Sequence, residues 1–100
     1  MPTRDKAPNT LVILARYSEA IQTAVSEQDL HKLYSNRSLA YARAQRYEDA
    51  LHDAQKAIEL APSWAKGYWR LGMACLGLNQ IPQAIPAFAQ CWHLDHGTVA

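Results

Sequence analysis

Two stretches of this chain obey one spacing rule, 34 residues apart. Counted from His31, the fourth, eighth, eleventh, twentieth, twenty-fourth and thirty-second places hold Tyr34, Ser38, Tyr41, Ala50, Ala54 and Pro62. Counted from Ala65, the same places hold Tyr68, Gly72, Cys75, Ala84, Phe88 and His96, and Leu71 adds the seventh. The identities between the copies are Lys32 with Lys66, Tyr34 with Tyr68, Ala40 with Ala74, Ala50 with Ala84 and Leu60 with Leu94, so the agreement lies in residue size at fixed steps rather than in raw similarity. Large residues on one helix must fill gaps over small residues on its neighbour, which fixes large and small positions in register. The pattern predicts an all-α chain of antiparallel helical hairpins stacked as a right-handed solenoid.

Hydrophobic periodicity places about five helices, over residues 10–25, 30–44, 47–60, 64–78 and 81–94. Residues 1–9 hold two prolines and charges of both signs and read as a flexible tail. The solenoid then comprises a partial repeat over 10–29 and repeats over 31–64 and 65–98. Ser26 or Asp29 suits the cap of the second helix, and Glu48 and Asp49 suit the first turn of the third, where the helix dipole favours acids. Pro82 fits a first helical turn, whereas Pro86 removes a backbone donor and should bend the start of the last helix without ending it.

Several function classes lose support at this stage. Apolar residues make up 49% of the chain, yet the longest run, residues 11–15, is far short of the roughly 20 that span a bilayer. The expectation is a soluble protein of the cytoplasm or nucleus, with no membrane partner. A formal net charge of +1, with no recognition helix and no dense Lys/Arg stripe, argues against nucleic acid. Cys75 and Cys91 fall at inward-facing repeat positions and read as two buried thiols rather than a disulfide or redox pair. Cys91, His93 and His96 offer too few ligands for zinc, so no metal is expected. No Gly-rich phosphate loop, no Ser elbow and no clustered carboxylate pair in a plausible pocket is present, and neither catalysis nor a cofactor is expected.

Charge is distributed unevenly. Residues 30–46 contain Lys32, Arg37, Arg43 and Arg46 and no acid; residues 64–78 contain Lys66 and Arg70 and no acid; Glu48, Asp49, Asp53 and Glu59 all lie on the third helix. First helices of stacked hairpins line the concave face. The expected groove therefore presents Lys32, Ser35, Asn36, Leu39, Ala42 and Arg43, then Lys66, Trp69, Arg70, Met73, Leu76 and Gly77, against an acidic back. Such a face suits a short carboxylate-rich peptide.

The spacing is that of the tetratricopeptide repeat, and residues 33–41 (Leu-Tyr-Ser-Asn-Arg-Ser-Leu-Ala-Tyr) and 64–70 (Trp-Ala-Lys-Gly-Tyr-Trp-Arg) resemble the carboxylate-clamp tetratricopeptide domains of co-chaperones, such as the heat-shock organising proteins. The resemblance covers roughly residues 17–94. It implies a non-enzymatic adaptor that grips the C-terminal Glu-Glu-Val-Asp tails of the 70- and 90-kilodalton heat-shock chaperones. Of the family's five clamp residues, the resemblance assigns the second-repeat Asn to Asn36 and the last Lys and Arg to Lys66 and Arg70. The helix that carries the first Lys and Asn in that family has no match here, so the first repeat reads as truncated. The rival reading is a scaffold that assembles through Leu39, Trp69 and Met73 and self-associates through exposed solenoid ends.

Overall fold

The computed structural model describes residues 6–23 and 26–96. They form five α-helices: α1 (Lys6–Thr23), α2 (Glu27–Arg43), α3 (Tyr47–Leu60), α4 (Ala65–Gly77) and α5 (Ile81–His96). No strand occurs among the described residues. α2 pairs with α3 and α4 with α5 as hairpins; α3 packs on α4, while α1 and α4 both lie against α2. This is the helical-hairpin stack that the spacing implies.

The 34-residue repeat reappears in the backbone of the two hairpin turns. Gln45 and Asn79 both adopt left-handed geometry, with φ of 61° and 60°. On either side the same hydrogen bonds recur: Ala44 N to Ala40 O with Leu78 N to Ala74 O, and Arg46 N to Tyr41 O with Gln80 N to Cys75 O at 2.8 Å each. A left-handed residue followed by a six-to-one bond closes a helix by satisfying its free carbonyls, and Asn tolerates that geometry well. Two turns of one geometry at one register are direct structural evidence of a repeat.

Two helix starts differ from expectation. α1 begins at Lys6 rather than residue 10, so residues 6–9, expected in a tail, form its first turn. Pro8 is compatible with this because a first-turn amide has no intrahelical acceptor to lose. Residues 1–5 of the expected tail, and Ala24 and Val25 of the expected first helix, lie outside the described residues. α2 starts at Glu27, with Ser26 as its cap accepting a bond from the Gln28 amide at 3.1 Å. Its sequence therefore includes Glu27 and Asp29, and the acid-free stretch begins only at Leu30. α5 runs through Pro86 as anticipated.

Small side chains make the core. Ala50, Ala54, Ala57, Ala74 and Ala84 are at most 1% exposed, and the largest fully buried side chains are Asp53, Ser35 and Ser38. Helices lined by such residues approach closely, and larger side chains pack around their edges. Gly72 shows how close: a Cβ built there would stand 2.6 Å from the Phe88 ring on α5. At Gly77 a Cβ would collide with the Tyr47 ring on α3. Ser38 Oγ donates to the Ala50 carbonyl at 2.7 Å, so the hydroxyl is satisfied where α2 meets α3.

The buried carboxylate of Asp53 is paired. Arg37 Nε and Nη2 donate to its two oxygens at 2.6 and 2.9 Å, and Arg37 Nη1 reaches Ser18 Oγ at 3.1 Å, joining α1, α2 and α3. Bonding to Asp53 raises the Arg37 pKa above its ordinary value against the opposing effect of burial. The expected division into basic groove and acidic back is thus corrected at this pair. Asp53 is in the core rather than on the back, and Arg37, one of the basic residues counted on the second helix, is its structural partner.

Candidate functional site

Cations already matched to carboxylates cannot hold a ligand cheaply. Arg37 pairs with Asp53, Arg46 with Asp49 and Lys56 with Glu59. Lys32, Arg43, Lys66 and Arg70 form no salt bridge among the described residues. These four belong to α2 and α4, the adjacent first helices of the two hairpins.

Lys66 and Arg70 stand four residues apart on α4, and side chains at that spacing share a helix face. Both line a concavity of about 670 Å³ with Trp64 and Trp69 beside them and Cys91, Leu94 and Asp95 of α5 opposite. Lys66 is exposed, its ammonium 6.0 Å from the Trp64 ring centroid. Trp69 is 45% exposed and leans on Phe88, ring centroids 5.0 Å apart. Met73, one turn further along α4, is 37% exposed. The concavity therefore sets two cations and two indole rings on one side against Cys91, Leu94 and the carboxylate of Asp95.

Arg70 is anchored. Its Nε donates to the carbonyl and to the hydroxyl of Ser35 on α2, both at 3.2 Å. Burial lowers its pKa from the ordinary value, with the neighbouring charge of Arg43 acting in the same direction. A guanidinium titrates so high that it stays charged at neutral pH. Ser35, expected in the groove, is fully buried beneath Arg70, because the α2–α4 contact closes over it.

Asn36 lines a separate concavity of about 130 Å³ together with Leu39, Ala40 and Arg43 of α2 and Thr10, Ile13 and Tyr17 of α1. The structure thus groups Lys66 with Arg70 and Trp69, and Asn36 with Leu39 and Arg43. Arg70, bonded to the residue before Asn36, stands between the two groups. Lys32 is exposed on the first half of α2.

Two sets of lining residues were not apparent from the repeat pattern. Cys91, Leu94 and Asp95 come from the last turns of α5, and the turn at Asn79 lies nearly midway between them and Lys66, so antiparallel pairing in the hairpin could have found them. Tyr17 and Ile13 come from the α1 side of α2. Cys91 is half-buried in the wall rather than in the core, unlike Cys75, which is 3% exposed. Burial raises the thiol pKa of both, and Asp95 adds to the rise at Cys91. No group of three or more His, Cys, Asp or Glu side chains among the described residues is placed to hold a metal ion, and no described helix is long and apolar enough to cross a membrane.

Residues 31–64 match the family model of the tetratricopeptide repeat. The chain is 51% identical over 79 residues to the Hsp70-Hsp90 organizing protein of Triticum aestivum and 43% identical over 79 residues to the heat shock protein STI1 of Saccharomyces cerevisiae. These alignments take in 79% of this chain and 13% of each relative. It is also 46% identical over 81 residues to human tetratricopeptide repeat protein 28, covering 81% of the chain and 3% of that protein. The chain spans only a small part of the length of the relatives it matches.

Proposed function

We propose that this chain, which carries a tetratricopeptide repeat, is a non-enzymatic adaptor that holds the acidic C-terminal tail of a partner protein, its terminal carboxylates gripped by Lys66 and Arg70, with the amide of Asn36 reaching them from the separate concavity on the other side of Arg70. One observation carries the reading: two cations a helical turn apart line one concavity with Trp64, Trp69 and Leu94, and neither forms an ion pair among the described residues. A terminal residue with an acidic side chain offers two carboxylates a few ångströms apart, which suits the Lys66–Arg70 spacing. Arg70, held by Ser35, does not have to be ordered on binding, which favours affinity.

Two relatives are named for organizing Hsp70 and Hsp90 or for heat shock, which supports the 70- and 90-kilodalton heat-shock chaperones as the proposed partners, held by tails of the Glu-Glu-Val-Asp type. The setting for such partners is the cytoplasm. Leu39, Arg43, Trp69 and Met73 contact residues upstream of the terminal one, and Lys32 adds to the positive field.

Titrating the full chain with a Glu-Glu-Val-Asp peptide tests this. A charge-assisted hydrogen bond contributes about 1.5–3 kcal/mol, so Lys66→Ala weakens binding roughly ten- to a hundred-fold. Binding also falls steeply with added salt, because exposed charges are screened over about 8–10 Å at physiological strength. A scaffold resting on Leu39, Trp69 and Met73 would show neither effect.

A further inference from the structure

The first turns of α1 carry more apolar surface than α2 can cover. Leu11, Val12, Ile13 and Leu14 are consecutive, and a helix rotates by about 100° per residue, so the four point all round it. Only Leu14 is buried, at 6% exposure; Leu11, Val12 and Ile13 are 60%, 54% and 41% exposed. A helical stretch that is apolar on every side normally has neighbours on every side. At the other end of the molecule, Ile81, Ile85 and Trp92 follow one stripe of α5 and are 43%, 63% and 60% exposed, and on α4, the helix paired with it, Trp69 and Leu76 are each 45% exposed. Contiguous exposed apolar surface of this kind marks a docking face.

The charges of the two ends correspond. Glu19 continues the outward stripe of α1 that begins at Leu11 and Ala15, about 12 Å beyond Leu11 at the helical rise. It is exposed, and it forms no ion pair among the described residues. On the α4/α5 face, Trp92 lies about 10 Å along the helix from Ile85, and Lys66, also without an ion pair, edges the concavity at that end together with Leu94 and Asp95.

We propose that α1 of a second copy of this chain docks on the α4/α5 face, parallel to α5, with Leu11 over Ile85 and Glu19 against Lys66. The contact joins two different surfaces and is therefore heterologous, so copies add head to tail and the array keeps one free α1 at one end and one free α4/α5 face at the other. It does not rest on peptide binding, but it uses Lys66, so an acidic tail and a second copy compete for one end of the molecule.

Analytical ultracentrifugation of the full chain across a concentration series tests the proposal, with circular dichroism showing that each variant keeps its helices. The wild type grows beyond a dimer as concentration rises. Leu11→Asp blocks one surface and Ile85→Asp the other; each variant alone is monomeric, and an equimolar mixture forms a dimer and stops there. Glu19→Lys and Lys66→Glu each weaken association, and the Glu19→Lys/Lys66→Glu double variant restores it. A wild type that stays monomeric throughout overturns the proposal, as does a mixture that fails to pair. A Leu11→Asp or Ile85→Asp variant that still dimerises alone overturns it in favour of a two-fold contact. Leu11→Asp leaves Asn36, Lys66 and Arg70 intact, so its peptide affinity reports on the adaptor reading separately.

Discussion

Replacing Asp53 by Ala would leave the Arg37 guanidinium in a half-buried site with only Ser18 and the faces of Tyr34 and Tyr41 for partners. Asp53 is 1% exposed and the Arg37 side chain 18%, so little water can replace the lost carboxylate. Breaking a buried ion pair by removing one partner costs about 3–5 kcal/mol, and the partial exposure of Arg37 places this site at the lower end. A loss near 3 kcal/mol is a large share of the roughly 5–15 kcal/mol that stabilises a small domain, and it lowers the melting temperature by about 12–24 °C. The second repeat already holds the apolar form of this pair. Leu71 and Ala87 occupy the places of Arg37 and Asp53 34 residues on, and Ala87 is 5% exposed in the same fold. Converting the first repeat to match, as Arg37→Leu/Asp53→Ala, should therefore recover most of the loss, since buried pairs exchanged for packed apolar groups are often neutral. Urea melts followed by circular dichroism give both numbers. If Asp53→Ala costs less than about 1 kcal/mol, or if the double variant is no more stable than the single one, the pair does not hold the three helices as argued.

Packing and site variants extend the account. Gly72→Val drives a side chain into Phe88 and Ala50→Leu fills a site with no exposed surface, so each should cost about 1–3 kcal/mol in thermal or urea melts. Lys66→Ala should leave stability within about 0.5 kcal/mol, the usual range for an exposed side chain. Arg70→Ala should instead cost about 1 kcal/mol as well as binding, because its hydrogen bonds to Ser35 join α4 to α2. Iodoacetamide should modify Cys91 in the folded chain and Cys75 only on unfolding, with the Cys91 rate rising at a pH above that of a free thiol because burial and Asp95 both disfavour the thiolate.

The fold was legible because size pattern and helix punctuation agree. Tyr34 with Tyr68 and Ala50 with Ala84 mark the repeat, and the left-handed turns at Gln45 and Asn79 fall in the same register. The start of α1 was not legible, since Pro2 and Pro8 resemble tail punctuation and Pro8 is also tolerated in a first helical turn. Within the site, the shared face of Lys66 and Arg70 follows from a four-residue step on one helix. The roles of Arg37 and Ser35 do not follow from sequence, because a basic residue on a first helix faces the groove or a neighbouring acid depending on which helix lies across from it. Asp53, placed by its charge on the back of α3, is that acid. The α5 wall of Cys91, Leu94 and Asp95 depends on how two helices pair across a turn, which residue types alone do not reveal.

Calorimetric titration of the full chain at low salt, with a Glu-Glu-Val-Asp peptide as the free acid and as its C-terminal amide, measures the central claim most directly. The amide keeps every side chain and removes one terminal carboxylate. If Lys66, Arg70 and Asn36 grip that carboxylate, the free acid binds and the amide binds at least about ten-fold more weakly, the equivalent of one charge-assisted hydrogen bond. Equal affinities for the two peptides would contradict the claim.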